Sequence, residues 1–277
     1  IMEGAEEWGV TALEAHEEMD AGDIWATATF KMRTASKASI YRREVTEAGI
    51  KVILQTVERF ATGQFTPEPL DYSKPDVKGR LRPVMKQSDR AIDWSQDTTA
   101  EIVRKINAAD SSPGVLDAFC GGEYYLYGVH EESDLIGIPG EVIARRYGAI
   151  CRATVDGAVW ISHLRKKKSG DQIFFKLPAT EVLGDAVADI PEVLIAALYN
   201  GSAKTFKEIW YEEKNDVGYL YFDFYNGAFS AAQCRRLQTA LLLARQRPTK
   251  VIALMGSDDF WSNGIHLNMI EGAENPA

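Results

Sequence analysis

The sequence is short of cysteine, of long apolar runs and of positive charge, and each shortage excludes something. Its three cysteines, Cys120, Cys151 and Cys234, are far apart, odd in number and without histidine at ligand spacing. That pattern supports neither a disulfide framework nor a zinc site, so no metal is expected and the thiols read as buried groups in a reducing compartment. The longest purely apolar runs are only a few residues, and no charged segment followed by an apolar one opens the chain. No membrane role is expected, and the expected location is the cytoplasm. Acidic residues outnumber basic ones by 40 to 31, a net charge of -9, which weighs against nucleic acid as the main partner.

What remains is an ordinary globular composition: 277 residues, 45% hydrophobic and 26% charged, with room for two or three small domains. Proline is concentrated where regular structure must stop. Pro67, Pro69 and Pro75 lie between Gly63 and Asp76, an extended stretch that is neither helix nor central strand and marks a first boundary. Before it, Trp8 to His16 and Ile24 to Phe30 read as strands around the turn Asp20-Ala21-Gly22-Asp23. Tyr41, Val45, Ala48, Val52, Ile53, Val57 and Phe60 recur at helical spacing, with a cap near Ser36 or Ser39 and a stop at Gly63. Beyond it, Lys78, Arg80 and Arg82 offer a short basic run for phosphate contact or, more simply, a solvated stretch.

Thr98 and Glu101 form a capping box for a helix to Asn107 with Ile102, Val103 and Ile106 inward. Five short strands follow, at Val115 to Phe119, Tyr124 to His130, Glu141 to Arg146, Ala149 to Val155 and Ala158 to Leu164. Asp156-Gly157 is a tight-hairpin signal, and a closed or half-closed barrel buries such strands economically. Ile190-Pro191 predicts a short helix to Tyr199. Then come strands at Glu208 to Glu213 and Val217 to Phe224, a turn at Asn226-Gly227, and a helix capped by Ser230 and Gln233 whose expected buried stripe includes Cys234, Leu237, Leu241 and Ala244.

The most informative stretch is Val251 to Asn268. Val251-Ile252-Ala253-Leu254-Met255 reads as a fully buried strand that ends in a polar turn, Gly256-Ser257-Asp258-Asp259. Gly264 permits a positive φ or close approach, which leaves the amide of Ile265 free to point at a ligand oxygen. On chemistry alone the same stretch reads first as a plain strand-to-helix connection.

Two family resemblances bear on these motifs. Trp261-Ser262-Asn263-Gly264-Ile265-His266-Leu267 is similar to the first oxyanion-hole segment of the crotonase (enoyl-CoA hydratase/isomerase) superfamily, Phe-x-x-Gly-x-Asp-Leu. That likeness implies that Gly264 and the backbone amide of Ile265 polarise a thioester carbonyl, and that Asn226, Gly227, Ala228 and Trp261 help hold coenzyme A. It departs from the usual pattern at Ile265, commonly Ala, and His266, commonly Asp. Gly9-Val10-Thr11 followed by Met19-Asp20-Ala21-Gly22-Asp23-Ile24 resembles the end of the formyl-tetrahydrofolate-dependent formyltransferase domain, and Asp20 matches its catalytic Asp. The family's Asn and His partners lie upstream of this segment, and His16 is no substitute because it lacks a placed partner. Ile92-Asp93-Trp94 and the segment Asp156 to Ile161 resemble the OB-like C-terminal domain of the same enzymes, where Lys166-Lys167-Lys168 is weak evidence for tRNA.

The order of parts resembles the hydrogenase-maturation HypX (HoxX) family. The implied fold is α/β multidomain: the end of a Rossmann-like formyltransferase domain at 1–63, a linker at 64–84, an OB-like β-barrel domain at 85–180, a linker at 181–205, and the start of a crotonase-like α/β domain at 206–277. The implied substrates are formyl-tetrahydrofolate and coenzyme A. The implied chemistry is formyl transfer to the coenzyme A thiol and decarbonylation of formyl-CoA, giving carbon monoxide for NiFe hydrogenase; maturation proteins of that enzyme are the expected protein partners. The likeness also implies that this chain is the middle of a longer protein. A methionyl-tRNA-type formyltransferase without coenzyme A chemistry and a non-catalytic scaffold remain the alternatives.

Overall fold

The computed structural model describes residues 1–274 apart from Asp76, Lys78, Leu81 and Ser169. The phosphate role considered for Lys78, parts of the 64–84 stretch and the end of the 206–277 stretch therefore lie outside the described residues. The chain divides into two compact units, 1–89 and 90–277.

In the first unit β1 (Glu7–Leu13) and β2 (Ile24–Lys31) pair antiparallel, with Trp8 opposite Phe30 and Ala12 opposite Ala26. The helix starts where predicted. Ser36 accepts a hydrogen bond from the Ser39 amide at 3.2 Å, and α1 (Lys37–Ile40) runs through a π-helical turn, Tyr41–Val45, into α2 (Thr46–Thr62). Gly63 ends it at φ 62°, a left-handed cap that costs glycine little. The expected apolar stripe is only partly covered. Ala48 and Val52 pack on Ala26 and Ala28, whereas Tyr41, Ile53, Val57 and Phe60 remain more than half exposed; a two-stranded sheet is narrower than the stripe it faces. Arg82 does not present a free charge for phosphate, because it forks onto the Glu3 carboxylate at 2.6 and 3.0 Å.

The second unit opens with α3 (Thr99–Ala109), whose Thr98–Glu101 capping box is formed as expected. Its Ile102 and Ile106 are fully buried against Val115, Leu126, Ile150 and Ile161. These belong to an antiparallel sheet of β3 (Val115–Phe119), β4 (Gly122–Glu132), β5 (Val142–Arg146), β6 (Ala149–Ala153) and β7 (Ala158–Lys166), in the order β3-β4-β7-β6-β5. All five predicted strands are present, but no closed barrel forms among the described residues. The edge at β5 is covered instead: the Arg145 amide donates to Pro191 at 2.8 Å and the Val193 amide donates to Arg145 at 2.9 Å. That pairing is also why the helix expected from Ile190 is absent, since its residues lie extended along a strand. Covering an edge with a neighbouring segment removes the same liability as closing the sheet.

A two-residue strand, β8 (Leu177–Pro178), pairs with β7 and leads into α4 (Ala179–Leu183). The segment after it is fastened to the sheet by buried polar groups. Arg146, stacked on Trp160 at 4.4 Å, donates to Val193 O, Thr205 Oγ1 and Phe206 O. Trp160 Nε1 and the Thr205 hydroxyl both donate to Glu132, each at 2.6 Å.

The last layer is a three-stranded sheet. β9 (Ile209–Lys214) and β10 (Val217–Phe222) form a hairpin through Asn215 and Asp216, both at positive φ. After α5 (Ala231–Ala244), β11 (Val251–Met255) returns parallel to β10. β11 is the sheet edge, with Val251 and Leu254 exposed, and is not the fully buried strand expected from its run of apolar residues. The Ser230–Gln233 capping box is formed. The inward stripe of α5 runs through Gln233, Leu237, Ala240, Leu241 and Ala244, which leaves Cys234 exposed. Cys120, in the turn between β3 and β4, is exposed too, so only Cys151 is a buried thiol as predicted. α6 (Leu267–Glu274) follows. Among the described residues no helix is long and apolar enough to cross a membrane, and no group of His, Cys, Asp and Glu has the arrangement of a metal site.

Candidate functional site

Asp20 lies in the loop joining β1 to β2. The loop is closed by the Glu14 amide donating to Asp23 O at 2.8 Å, and Gly22 fits there because a Cβ would come within 1.8 Å of the Glu14 carbonyl. Asp20 takes a left-handed backbone, φ 58°, and its carbonyl accepts from the Tyr72 hydroxyl at 3.2 Å. Its carboxylate is exposed to solvent. The loop thus presents the Asp20 side chain on a fixed backbone, and His16 is exposed on the same loop.

The other predicted residues meet in the second unit, at the carboxyl ends of the parallel strands β10 and β11, the usual place for a ligand on an open α/β layer. Asn226 and Gly227 turn the chain at φ 53° and 67°. Two bonds tie this turn to the one after β11: the Asn263 amide donates to Gly227 O at 2.7 Å and Asn263 Nδ2 donates to Asn226 O at 3.1 Å. Gly227 is needed twice over, since its φ is positive and a Cβ would stand 2.6 Å from Phe260 Cβ.

Ile265 sits in an isolated parallel bridge with Phe229. The Phe229 amide donates to Gly264 O at 2.8 Å and the His266 amide donates to Phe229 O at 3.0 Å. Both bonds come from the neighbours of Ile265, so its own N–H points to the opposite side, away from Phe229. Gly264, at φ 81°, has nothing within 4 Å of where a Cβ would stand, and Ile265 is 67% exposed. An outward amide beside open space is an arrangement that accepts a carbonyl or anionic oxygen. Trp261, 57% exposed, packs edge-on to Phe222 at 5.1 Å, and Ala228 continues from the Gly227 turn. A cavity of about 220 Å³ lies elsewhere, against α5, lined by Tyr147, Glu208 and Arg236 among others; none of the predicted residues lines it.

Behind the two turns is a buried polar cluster that the sequence did not signal. Tyr225 donates to Asp110 Oδ1 at 2.6 Å and accepts from Lys176 Nζ at 2.9 Å. Lys176 also donates to Ser111 O at 3.0 Å and lies 3.7 Å from the centre of the Tyr127 ring. Burial pushes the Lys176 ammonium down to about 8, with Asp110 opposing and Arg165 adding to the shift. Burial and the Asp110 carboxylate push the Tyr225 phenol well up. The Tyr225 ring stacks on His163 at 4.3 Å, and His163 lies parallel to His266 at 5.8 Å. Burial, with His266 and Lys176 nearby, holds His163 well below the usual imidazole range. No local pattern announces such a cluster, because its members come from six separate segments.

Known proteins resemble the chain over its whole length. Residues 84–174 match the formyl transferase C-terminal domain. The chain is 43% identical over all 277 residues to the hydrogenase maturation factor HoxX of Bradyrhizobium diazoefficiens, covering 47% of that protein. It superposes with a TM-score of 0.91 at 46% identity on a crystal structure of HypX from Aquifex aeolicus in complex with tetrahydrofolic acid, covering 99% of this chain and 47% of that one. Over its whole length the chain is similar to the HypX and HoxX hydrogenase maturation factors. It spans about half the length of these relatives. A weaker match, 29% identity over 134 residues, is to methionyl-tRNA formyltransferase of Roseiflexus castenholzii, and it covers 48% of this chain.

Proposed function

We propose that the protein carrying this chain makes carbon monoxide for the NiFe hydrogenase active site in two steps. In the first, the formyl group of formyl-tetrahydrofolate passes to the thiol of coenzyme A: the C–N bond breaks, a C–S bond forms, and the thiol proton ends on the folate nitrogen. In the second, formyl-CoA loses carbon monoxide: the C–S and formyl C–H bonds break, and the proton returns to the sulfur. Asp20 belongs to the first step, where a carboxylate takes up or steers the proton of the attacking group. Gly264 and the Ile265 amide belong to the second, polarising the thioester carbonyl, with Asn226, Gly227, Ala228 and Trp261 beside coenzyme A.

The observation that carries this reading is the Ile265 N–H, turned outward by the bonds of its neighbours to Phe229. A formyltransferase without thioester chemistry has no use for such an amide on a second α/β layer. In this reading 1–63 ends a Rossmann-like formyltransferase domain, 64–84 and 181–205 are linkers, 85–180 is OB-like in ancestry though open, and 206–277 begins a crotonase-like domain working in the cytoplasm.

The test supplies formyl-tetrahydrofolate and coenzyme A to the full-length polypeptide and tracks the carbon monoxide spectrum of a reporter haem protein. Gas that depends on both substrates is expected. Gas released with coenzyme A omitted, or none with both present, contradicts the reading.

A further inference from the structure

We propose that Asp110 and Tyr225 are positioning residues for the Ile265 amide, so that the sheet with formyltransferase ancestry sets the geometry of the thioester site. The inference rests on the proposed thioester chemistry at Ile265. Asp110 follows α3, and its carboxylate is held from two sides: Oδ2 accepts from the Gly128 amide at 2.8 Å and Oδ1 accepts from the Tyr225 hydroxyl at 2.6 Å. Lys176 Nζ stands 4.0 Å from the same Oδ1 and donates to the Tyr225 oxygen at 2.9 Å. The phenol is thereby fixed as donor to one partner and acceptor from another, which leaves it a single rotamer and hydroxyl orientation.

The ring is fixed as well. It stacks on His163 at 4.3 Å, and a Cβ added at Gly128 would stand 3.1 Å from Tyr225 Cδ2. Gly128 therefore leaves the groove that the ring fills. From this anchor the chain runs directly into Asn226 and Gly227, whose carbonyls receive the two bonds from Asn263. Asn263 is two residues before Ile265. Asp110, Tyr225, the Asn226-Gly227 turn, Asn263 and Ile265 form one unbroken chain of hydrogen bonds and covalent neighbours. The bridge to Phe229 fixes the opposite side of Ile265.

An amide donor stabilises a developing oxyanion only when it is aimed in advance, and a displacement of about 1 Å costs on the order of 100-fold in rate. Neither Asp110 nor Tyr225 touches the reacting atoms. Removing their bond loosens the aim of the amide.

The test supplies formyl-CoA directly to the full-length polypeptide. For Tyr225→Phe, which keeps the ring and its stack, kcat for carbon monoxide release is expected to fall about tenfold with KM within about twofold, as befits a donor whose effect lies in the transition state. Asp110→Asn is expected to do the same. The double variant is expected to be no slower than the slower single one, because both remove one bond. Formyl transfer from formyl-tetrahydrofolate is expected to be unchanged.

Unchanged kcat in Tyr225→Phe, or independent, multiplying losses in the double variant, overturns the proposal. A second readout needs no turnover. Hydrogen exchange at the Asn263 amide, bonded to Gly227 O, is expected to accelerate at least about tenfold in Tyr225→Phe when its clamp is loosened; an unchanged rate contradicts the proposal. If the unaltered protein releases no gas from formyl-CoA, the functional reading fails, and the exchange measurement still decides the positioning role.

Discussion

The hydroxyl of Tyr225 and the carboxylate of Asp110, 115 positions apart in the sequence, meet at 2.6 Å. Tyr225 follows β10 of the three-stranded sheet and Asp110 follows α3, which packs on the six-stranded one. Their bond, with Lys176 beside it, fastens the two sheets at the base of the turn that bears Ile265. A charged pair in so buried a place is costly unless it is fully bonded, and these groups are.

Lys176 gives this cluster a pH signature. Its folded-state value, pushed down to about 8 from the ordinary 10.5, means that the native protein releases the proton before the unfolded chain does. Between those values the unfolded chain holds more protons, so this group makes stability rise with pH, and below pH 8 burying the charge costs about 3 kcal/mol. The Cε resonance of Lys176 is expected to titrate with a midpoint near 8. A midpoint in the ordinary lysine range contradicts the burial argument.

The two turn glycines are expected to respond differently to alanine. At Gly227 both the positive φ and the 2.6 Å approach to Phe260 Cβ oppose a side chain, whereas at Gly264 only φ does. Gly227→Ala is expected to cost about 2–4 kcal/mol and Gly264→Ala about 1 kcal/mol, measured by urea unfolding. Equal costs contradict this description of the turns.

Arg146 carries the segment between Val193 and Phe206. Arg146→Met keeps the bulk over Trp160 but strands three acceptors, and it leaves the buried Glu132 carboxylate without the positive charge near it. A loss of about 3 kcal/mol is expected, from the urea midpoint, since breaking a buried charged network leaves its partners unsatisfied. A loss below about 1 kcal/mol shows that the segment is held by packing instead.

His130 predicts acid sensitivity. Its ring lies against Phe206 at 5.0 Å, and burial lowers it to about 4 from 6.5. The unfolded chain takes up the proton first, so stability is full above about 6.5 and falls by about 3 kcal/mol as pH drops through 4. His130→Phe is expected to move the acid-unfolding midpoint to lower pH. An unmoved midpoint rules out His130 as a source of acid sensitivity.

Much of this was legible in the sequence wherever the signal was local. Both capping boxes, the strand positions, the Asn215-Asp216 turn and the left-handed stop at Gly63 depend on residues a few positions apart, and the structure has them. The expectations that failed depended on what lies across space. Ile190 to Tyr199 has a helix-start signal, yet Pro191 and Val193 bond to Arg145 instead. Cys234 fits a helical stripe by spacing, but the sheet meets α5 one residue earlier, at Gln233. The five strands suggested closure because closure is one way to protect edges, and the segment at Pro191 to Val193 is another. At the candidate site, the Ile265 turn and the Asn226-Gly227 turn were each readable; that Asn263 joins them, and that Asp110 stands behind them, was not.

The most direct measurement separates the two steps in one variant. Asp20→Asn in the full-length polypeptide is given formyl-CoA in one reaction, and formyl-tetrahydrofolate with coenzyme A in another. Carbon monoxide is expected from formyl-CoA at the rate of the unaltered protein, and none from the folate donor. Loss of both reactions, or retention of both, contradicts the assignment of Asp20 to formyl transfer and of the Ile265 turn to decarbonylation.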